Sequence, residues 1–240
     1  MVMQVLKNKE DLSNSREMLN SKNVSHIDSH ESLLIKVLRR LKFVNKIKVG
    51  DFVKSWDVLN TLLFIEKNLK AEDPILDIGC YASEIIIALH KNGFKNLTGA
   101  DLNSSLNKMP FNKFIRYVNA NFMKTDFPDN LFKAVTAISV IEHGFNPHAL
   151  LKEMSRIVMP GGYFISSFDY WPQKIDTKDT KFFDMDWIIF SKQDVEDFVS
   201  LAATYNFFPV GEMSFDSETP LIHCANKEYT FGWLVLEKRT

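Results

Sequence analysis

Several polar residues that could bind a ligand follow short apolar runs in the middle of this 240-residue chain. In the segment 74–83, an apolar run ends in Asp77, and Gly79 then allows the backbone to turn sharply and approach a ligand. The next apolar run ends in Asp101, whose carboxylate can accept hydrogen bonds from both hydroxyls of a ribose. The separation between Gly79 and Asp101 is close to that between the glycines and the ribose-binding acid of dinucleotide-binding turns. It therefore favours a nucleotide-type ligand; the alternative is that Gly79 is an ordinary loop glycine and Asp101 a turn-forming aspartate.

Two further segments carry side chains suited to binding and to proton transfer. Asn121 could pair with the edge of an adenine ring and Phe122 could stack on its face, although Phe122 could equally be a core residue. Glu142 and His143 follow a long apolar run, and the pKa of a histidine lies near neutrality, as a general base requires. We therefore take His143 as the candidate base; the alternative is an architectural pair that holds a loop.

The elements that must position these residues alternate between strands and helices. The pattern predicts strands at 75–78, 96–100, 114–118, 134–140 and 163–168, helices at 83–91 and 148–158, then a helix at 192–204 and strands near 208–213 and 229–237. Such alternation predicts a doubly wound α/β fold with a mostly parallel sheet and helices on both faces. A fold of this kind binds ligands at the carboxyl ends of its strands.

Five segments, taken in order, resemble the class I S-adenosylmethionine-dependent methyltransferases. They are Leu-Asp-Ile-Gly-Cys at 76–80, Gly-Ala-Asp at 99–101, Phe-Pro-Asp-Asn at 127–130, Ile-Glu-His at 141–143 and Met-Pro-Gly-Gly at 159–162. The resemblance spans about 74–168 and implies a Rossmann-like sheet of seven strands that ends in a C-terminal antiparallel hairpin. It also implies S-adenosyl-L-methionine as cofactor and transfer of its methyl group to a hydroxyl or amine of a small molecule or saccharide.

Carried over residue by residue, the resemblance implies a set of cofactor-binding positions, with His143 as the catalytic candidate. The set comprises Asp77, Gly79, Cys80, Tyr81, Ser83, Asp101, Leu102, Asn121, Phe122 and Ser139. Three departures from the family pattern fall within or beside it. Tyr81 and Ser83 stand where the family usually has glycine, Asn121 replaces an aspartate, and Lys133 stands where an acid is frequent. Tyr81 is therefore strained at positive φ or the loop is reshaped. The departures also suggest an alternative function, a catalytically inactive binding partner or scaffold.

The segment 169–190 mixes aromatic and charged residues without clear periodicity, and we interpret it as an insertion that covers the acceptor site. Tyr170 and Trp171 could pack a sugar or another ring, Lys174 could meet an acidic group, and His223 is a further candidate substrate contact. The alternative is a loop that its aromatic residues pin to the body of the protein.

Composition and charge set the remaining expectations. The near balance of 29 Lys+Arg against 30 Asp+Glu argues against a nucleic-acid partner. The absence of a long apolar run argues against integral membrane association, and two cysteines that form no disulfide framework favour the cytoplasm. Cys80 and Cys224 show no metal-ligand spacing, so no metal is expected.

The chain divides into three predicted parts. We expect a poorly ordered polar N-terminus at 1–30, helices at 31–72 that pack on the core, and the α/β domain at 73–240. A nicotinamide-dependent oxidoreductase is disfavoured, because Tyr81 stands where a second glycine would approach the pyrophosphate. The sequence leaves the oligomeric state open.

Overall fold

A computed structural model describes residues 3–27, 47–144, 146–182 and 184–240. Residues 31–46 of the helices expected at 31–72 lie outside these ranges. The strands are β1 Met3–Val5, β2 Ile75–Ile78, β3 Leu97–Asp101, β4 Arg116–Asn119, β5 Phe132–Ile138, β6 Val158–Tyr170, β7 Lys181–Phe182, β8 Met185–Asp186, β9 Phe207–Pro209, β10 Ile222–Cys224 and β11 Lys227–Lys238. The helices are α1 Lys9–Ser21, α2 Ser55–Asn68, α3 Ile85–Lys91, α4 Pro147–Ile157 and α5 Lys192–Ala203, with short 3₁₀ helices at Phe52–Lys54 and Ser104–Lys108.

The described strands other than β7 and β8 form one twisted sheet. Its order is β1-β11-β6-β5-β2-β3-β4, and β9 and β10 also pair with β11. Strands β2 to β6 run parallel, whereas β11 runs antiparallel to β6. The predicted doubly wound, mostly parallel sheet with antiparallel strands at its C-terminal end is confirmed. Within the described residues the sheet has nine strands where seven were expected, because β1 and β10 add to the antiparallel side.

Alternate residues of the strands supply two apolar layers. Ile75 and Ala134 belong to one buried cluster, which includes residues of α1, α2 and α3. The next residue of each strand, Leu76 and Val135, belongs to the other cluster, with residues of α4 and α5. This follows from the two-residue repeat of a strand, which points successive side chains to opposite faces of the sheet.

The N-terminal segment differs from its prediction. Residues 3–27, expected to be poorly ordered, contain β1 and α1, and β1 pairs with β11. Met3, Leu6, Leu12 and Leu19 are buried, so a few widely spaced apolar residues anchor a segment whose composition is otherwise polar. Burial of these four side chains outweighs the local polarity on which the prediction rested.

The outer edge of β11 is covered by three short strands in succession. Going along β11, β10 pairs at 227–229, β1 at 232–234 and β9 at 236–238. The last strand of the sheet is therefore paired along both sides, with a composite partner on its outer side.

The strand order reverses direction between β2 and β5. Strand β2 pairs with β3 on one side and with β5 on the other, and the chain reaches β5 only after β3 and β4. A crevice forms outside the carboxyl ends of the strands at such a switch point. Within the described ranges, no helix is both long and apolar enough to cross a membrane.

Candidate active site

A cavity of about 720 Å³ lies at this switch point. That volume is within the range of small-molecule sites, about 300–1,000 Å³. Its walls come from the carboxyl ends of the strands, from the segment 48–58 and from the β7–β8 hairpin. Nine of the predicted site residues line it: Gly79, Tyr81, Ser83, Asp101, Leu102, Asn121, Phe122, Ser139 and His143.

The turn after β2 shows which conformation Tyr81 adopts where the family usually has glycine. Gly79 has φ +67°, and a Cβ there would lie 2.4 Å from Cγ2 of Val140. The second left-handed residue is Ala82, with φ 61°, and Tyr81 is not in the left-handed region. The loop is therefore reshaped, with the left-handed conformation carried by its neighbour. Tyr81 lines the cavity without filling it, because about 720 Å³ remains with its side chain in place.

Asp101 stands at the end of β3, where its carboxylate is fixed by two backbone donors. Its Oδ2 accepts a hydrogen bond from the Tyr81 N–H at 3.0 Å, and its Oδ1 accepts one from the Asn103 N–H at 2.8 Å. Each carboxylate oxygen has a further lone pair, so both can still accept a hydrogen bond from a ligand hydroxyl.

Asn121 and Phe122 follow β4 on the same side of the cavity. The Asn121 side-chain oxygen accepts a hydrogen bond from the Met123 N–H at 3.0 Å, which fixes the orientation of the amide. The NH₂ group of Asn121 is thereby presented as a donor, and the half-buried Phe122 offers an aromatic face. Together with Asp101, they form a donor, acceptor and stacking set of the kind that an adenosine requires.

Asp77 and Cys80 lie beneath the loop and are not among the lining residues. Asp77 is fully buried and accepts a hydrogen bond from the Thr136 hydroxyl at 2.7 Å, and burial raises its pKa to about 7. Cys80 is also fully buried, and its Sγ packs so closely on Gly99 that a Cβ there would lie 2.7 Å away. Burial raises the pKa of its thiol as well. Their side chains support the loop from below.

The other side of the cavity carries Ser139 and His143. Ser139 has φ 54°, and its N–H donates to the Ser167 carbonyl at 3.1 Å. His143 is half-buried, with the Phe182 ring 5.9 Å from its own. Burial is the main cause that lowers the pKa of His143. The imidazole is therefore neutral near pH 7, which is the form that accepts a proton.

A charged group that sequence reasoning missed lies beside His143. The Lys54 Nζ is 3.8 Å from Asp57 Oδ2 and 3.8 Å from Asp169 Oδ1, and it lies 3.2 Å from the centre of the Phe231 ring. Lys54 lines the cavity, whereas both carboxylates are buried behind it. Asp57 and Asp169 are too far apart in the chain for the sequence to suggest that they share a partner.

The four predicted substrate contacts are not among the lining residues. Tyr170 is buried and its hydroxyl donates to the Phe215 carbonyl at 2.7 Å, because β6 extends to this residue and places it on the same face as Phe168. Trp171 packs against the opposite apolar cluster. Lys174 pairs with Asp194 at 2.7 Å and His223 pairs with Glu228 at 3.2 Å, and both side chains are largely exposed. From the predicted insertion, Met185 lines the cavity instead.

A buried ion pair ties the N-terminal helix to the cavity wall. The Arg16 guanidinium donates to both carboxylate oxygens of Glu84 at 2.8 Å, and Glu84 lines the cavity at the start of α3. The Arg16 Nε also donates to the Ser55 hydroxyl at 2.9 Å. Helix α1 therefore positions the wall as well as covering the core.

Comparison with known proteins identifies the central segment. Residues 76–166 match the family model described as a methyltransferase domain, which confirms the resemblance for that part of the chain. A cycloartenol-C-24-methyltransferase of Arabidopsis thaliana is 27% identical over 113 residues, which are 42% of this chain and 33% of that protein. A sterol 24-C-methyltransferase of Yarrowia lipolytica is 30% identical over 101 residues, 38% of this chain and 26% of that protein. The chain thus spans a third or less of the length of these curated relatives.

Among solved structures, a geranyl diphosphate C-methyltransferase of Streptomyces coelicolor is similar in fold. Its TM-score is 0.59 at 14% identity, and the alignment covers 93% of this chain and 98% of that one. That protein was crystallised with Mg²⁺, geranyl diphosphate and S-adenosyl-L-homocysteine. At this identity, the similarity shows a shared architecture only. It includes regions on both sides of the segment 76–166.

Proposed function

We propose that this protein transfers a methyl group from S-adenosyl-L-methionine to a small, largely apolar molecule, since residues 76–166 match the methyltransferase domain model. One observation carries the proposal. A single cavity is lined on the β3–β4 side by Asp101, Asn121 and Phe122 and on the β5 side by Ser139 and His143. An adenosyl group and an acceptor molecule can therefore occupy neighbouring parts of the same space.

The residues on the β3–β4 side fit the nucleoside part of the cofactor. Asp101 would hold the ribose hydroxyls, and Asn121 and Phe122 would hold the adenine. The close approach of Gly79 to Val140 leaves no room for a side chain at the turn, so the backbone itself would face the ligand. Bound there, the cofactor supplies an activated methyl group on a positively charged sulfur.

The chain's own contribution to the reaction is alignment, exclusion of water and removal of a proton. Reacting atoms need to be held about 3–3.5 Å apart, which rigid walls achieve better than flexible loops. His143 would accept the proton in its neutral form, which burial favours. Val58, Ile138 and Met185 supply apolar wall on this side.

The acceptor is the finer part of the proposal. The relatives and the solved structure are named as methyltransferases that act on carbon, with sterols or geranyl diphosphate in their names. Together with the apolar wall, this favours carbon of a terpenoid-like molecule as the acceptor atom, ahead of the hydroxyl or amine predicted from the sequence. The saccharide hypothesis rested on Tyr170 and Trp171, and neither lines the cavity.

A second candidate is a protein that keeps the fold without transferring a methyl group. It is favoured by Tyr81, Ser83 and Asn121, which stand at cofactor-binding positions and depart from the family pattern. Binding of the cofactor would count strongly against this candidate, and methyl transfer from the cofactor to an acceptor would exclude it.

Calorimetric titration with S-adenosyl-L-methionine and S-adenosyl-L-homocysteine tests the proposal. We expect both to bind, and Asp101→Ala to weaken binding about 10- to 100-fold, since a hydrogen bond to a charged group contributes about 1.5–3 kcal/mol. Asp126→Ala is the matched control, because Asp126 is exposed and does not line the cavity. Absence of binding at millimolar ligand would refute the proposal. Methyl transfer from labelled cofactor to a panel of terpenoids, phenols and amines then tests the acceptor class.

A further inference from the structure

Three buried carboxylates converge near one lysine beside the cavity. Asp57 comes from the first turn of α2, Glu142 from the loop after β5 and Asp169 from the end of β6. The exposed fractions of the three residues are 0%, 1% and 5%. Lys54 lies between Asp57 and Asp169 at 3.8 Å from each and reaches the cavity wall. We call these four residues the charge cluster.

Hydrogen bonds satisfy only part of the charge cluster. The Ser167 hydroxyl donates to Asp57 Oδ2 at 2.8 Å, and the Trp187 ring N–H donates to Asp169 Oδ2 at 2.8 Å. Within the described part of the chain, Asp57 Oδ1 and Glu142 Oε2 are buried with no hydrogen-bond partner. A buried carboxylate oxygen in this state is stabilised by a proton or by a nearby positive charge.

The charges of the cluster do not balance when every group is ionised. Three carboxylates and one ammonium carry two negative charges in excess, which a buried site does not sustain without protonation or a cation. Burial raises the pKa of Asp57 to about 6, and burial followed by the charge of Asp169 raises that of Glu142 well above its usual range. The cluster therefore holds at least one proton near neutral pH.

We propose that the charge cluster releases a proton when a sulfonium occupies the cavity and takes one up when the methyl group leaves the sulfur. The inference rests on the proposed function, because it requires S-adenosyl-L-methionine as the ligand. Lys54 and His143 connect the charge cluster to the cavity, because both line the wall in front of the buried carboxylates. In this proposal the cluster is the final proton acceptor of the reaction, and His143, which lines the cavity, takes the proton from the acceptor molecule first.

The proton and charge balance closes over the two steps. On binding, one carboxylic acid of the cluster loses its proton to solvent, and the new carboxylate compensates the positive sulfur. On transfer, the S–CH₃ bond breaks and its electron pair stays on sulfur, while the acceptor forms a bond to the methyl carbon and gives up a proton. That proton returns to the cluster by way of His143, so no further reactant is needed.

The charged and polar groups of the cluster and those that face it come from every element packed around it. They are Lys54 from the 3₁₀ helix, Asp57 from α2, Glu142 and His143 after β5, Asp169 from β6, Trp187 after β8 and Tyr229 from β11. Burial and the charge of Asp169 raise the pKa of Tyr229, so its phenol stays neutral. Lys54 lowers the pKa of Asp57 and of Glu142 and so sets the pH range over which they exchange protons.

Calorimetry in buffers of different ionisation enthalpy, such as phosphate and Tris, measures the protons exchanged on binding. At pH 7 we expect S-adenosyl-L-methionine to release about half a proton more than S-adenosyl-L-homocysteine, because only the former carries the sulfonium charge. Glu142→Gln and Asp57→Asn remove a titrating group and should reduce this difference. Lys54→Met should move the pH range of release upward, because it removes the charge that lowers the carboxyl pKa values.

The control is again Asp126→Asn, an exposed carboxylate that does not line the cavity, which should leave the difference unchanged. Affinity for S-adenosyl-L-homocysteine shows that each variant is folded. If both ligands bind and release equal numbers of protons, this inference is wrong while the proposed function stands. If the difference persists undiminished in Glu142→Gln and in Asp57→Asn, it is also wrong. If neither ligand binds the wild-type protein, the proposed function itself fails.

Discussion

Removing one partner of the Arg16–Glu84 ion pair should destabilise the protein strongly. The two side chains are 7% and 1% exposed, and they meet through two parallel hydrogen bonds of 2.8 Å. Loss of one partner of a buried pair costs about 3–5 kcal/mol, since the other charge stays buried without compensation. In Arg16→Met, Glu84 keeps a hydrogen bond from the His26 N–H at 2.8 Å, so we place the effect near the lower value.

Urea unfolding measures this loss directly, and a loss of about 3 kcal/mol corresponds to a fall in melting temperature of roughly 6–12 °C for a chain of this size. The double variant Arg16→Met/Glu84→Leu removes both charges and should recover much of the stability. The exposed pair Lys22–Glu66, with N···O 3.0 Å and side chains 30% and 40% exposed, provides the comparison. Lys22→Met should cost less than about 1 kcal/mol. Equal losses in Arg16→Met and Lys22→Met would refute the reasoning.

Three further changes test other parts of the structure. Gly79→Ala combines positive φ with a Cβ 2.4 Å from Val140, so ligand affinity measured by calorimetry should fall at least tenfold; an unchanged affinity would contradict the turn geometry. The raised pKa of Asp77, about 7, makes its contribution to stability greatest below pH 4 and lost as the pH rises toward 7. Thermal unfolding of Asp77→Asn should therefore depend less on pH between 4 and 8 than that of the wild type, and an equal slope would count against it. Lys238→Met removes an ammonium that donates hydrogen bonds to Asn130 Oδ1 and to two backbone carbonyls. The free energy of unfolding, measured in urea, should fall by about 1–3 kcal/mol. An unchanged free energy of unfolding would contradict this.

Much of the sheet and of the β3–β4 side of the cavity was predictable from local patterns. Strand and helix periodicities are short-range signals, and parallel strands place the residues that follow them at one edge. Asp101, Asn121 and His143 each follow a strand, so predicting the strands was enough to bring them together. Ser139 was predicted only through the resemblance to the methyltransferases, since nothing in its own type suggests a site.

The failures have equally specific causes. Strand β1 has three residues, too few to show a repeat, and its register depends on β11 at the far end of the chain. Tyr170 was assigned to a loop because charged residues surround it, whereas the two-residue repeat through Phe164 and Phe168 continues to it and indicates the core face. The contact of Lys54 with Asp169 joins residues far apart in the chain, and only tertiary packing brings them together.

The composite outer partner of β11 has a consequence for behaviour at high concentration. A long, unpaired edge strand offers a row of free N–H and C=O groups on which a second molecule can add its own strand, and this is a common route to aggregation. Here the edge of β11 is covered by β10, β1 and β9 in succession. Each of these strands pairs over only three residues, so each is too short to serve as a template itself. Shortened versions of the protein that lack β1 would reopen the middle of the edge around Gly232 and should self-associate.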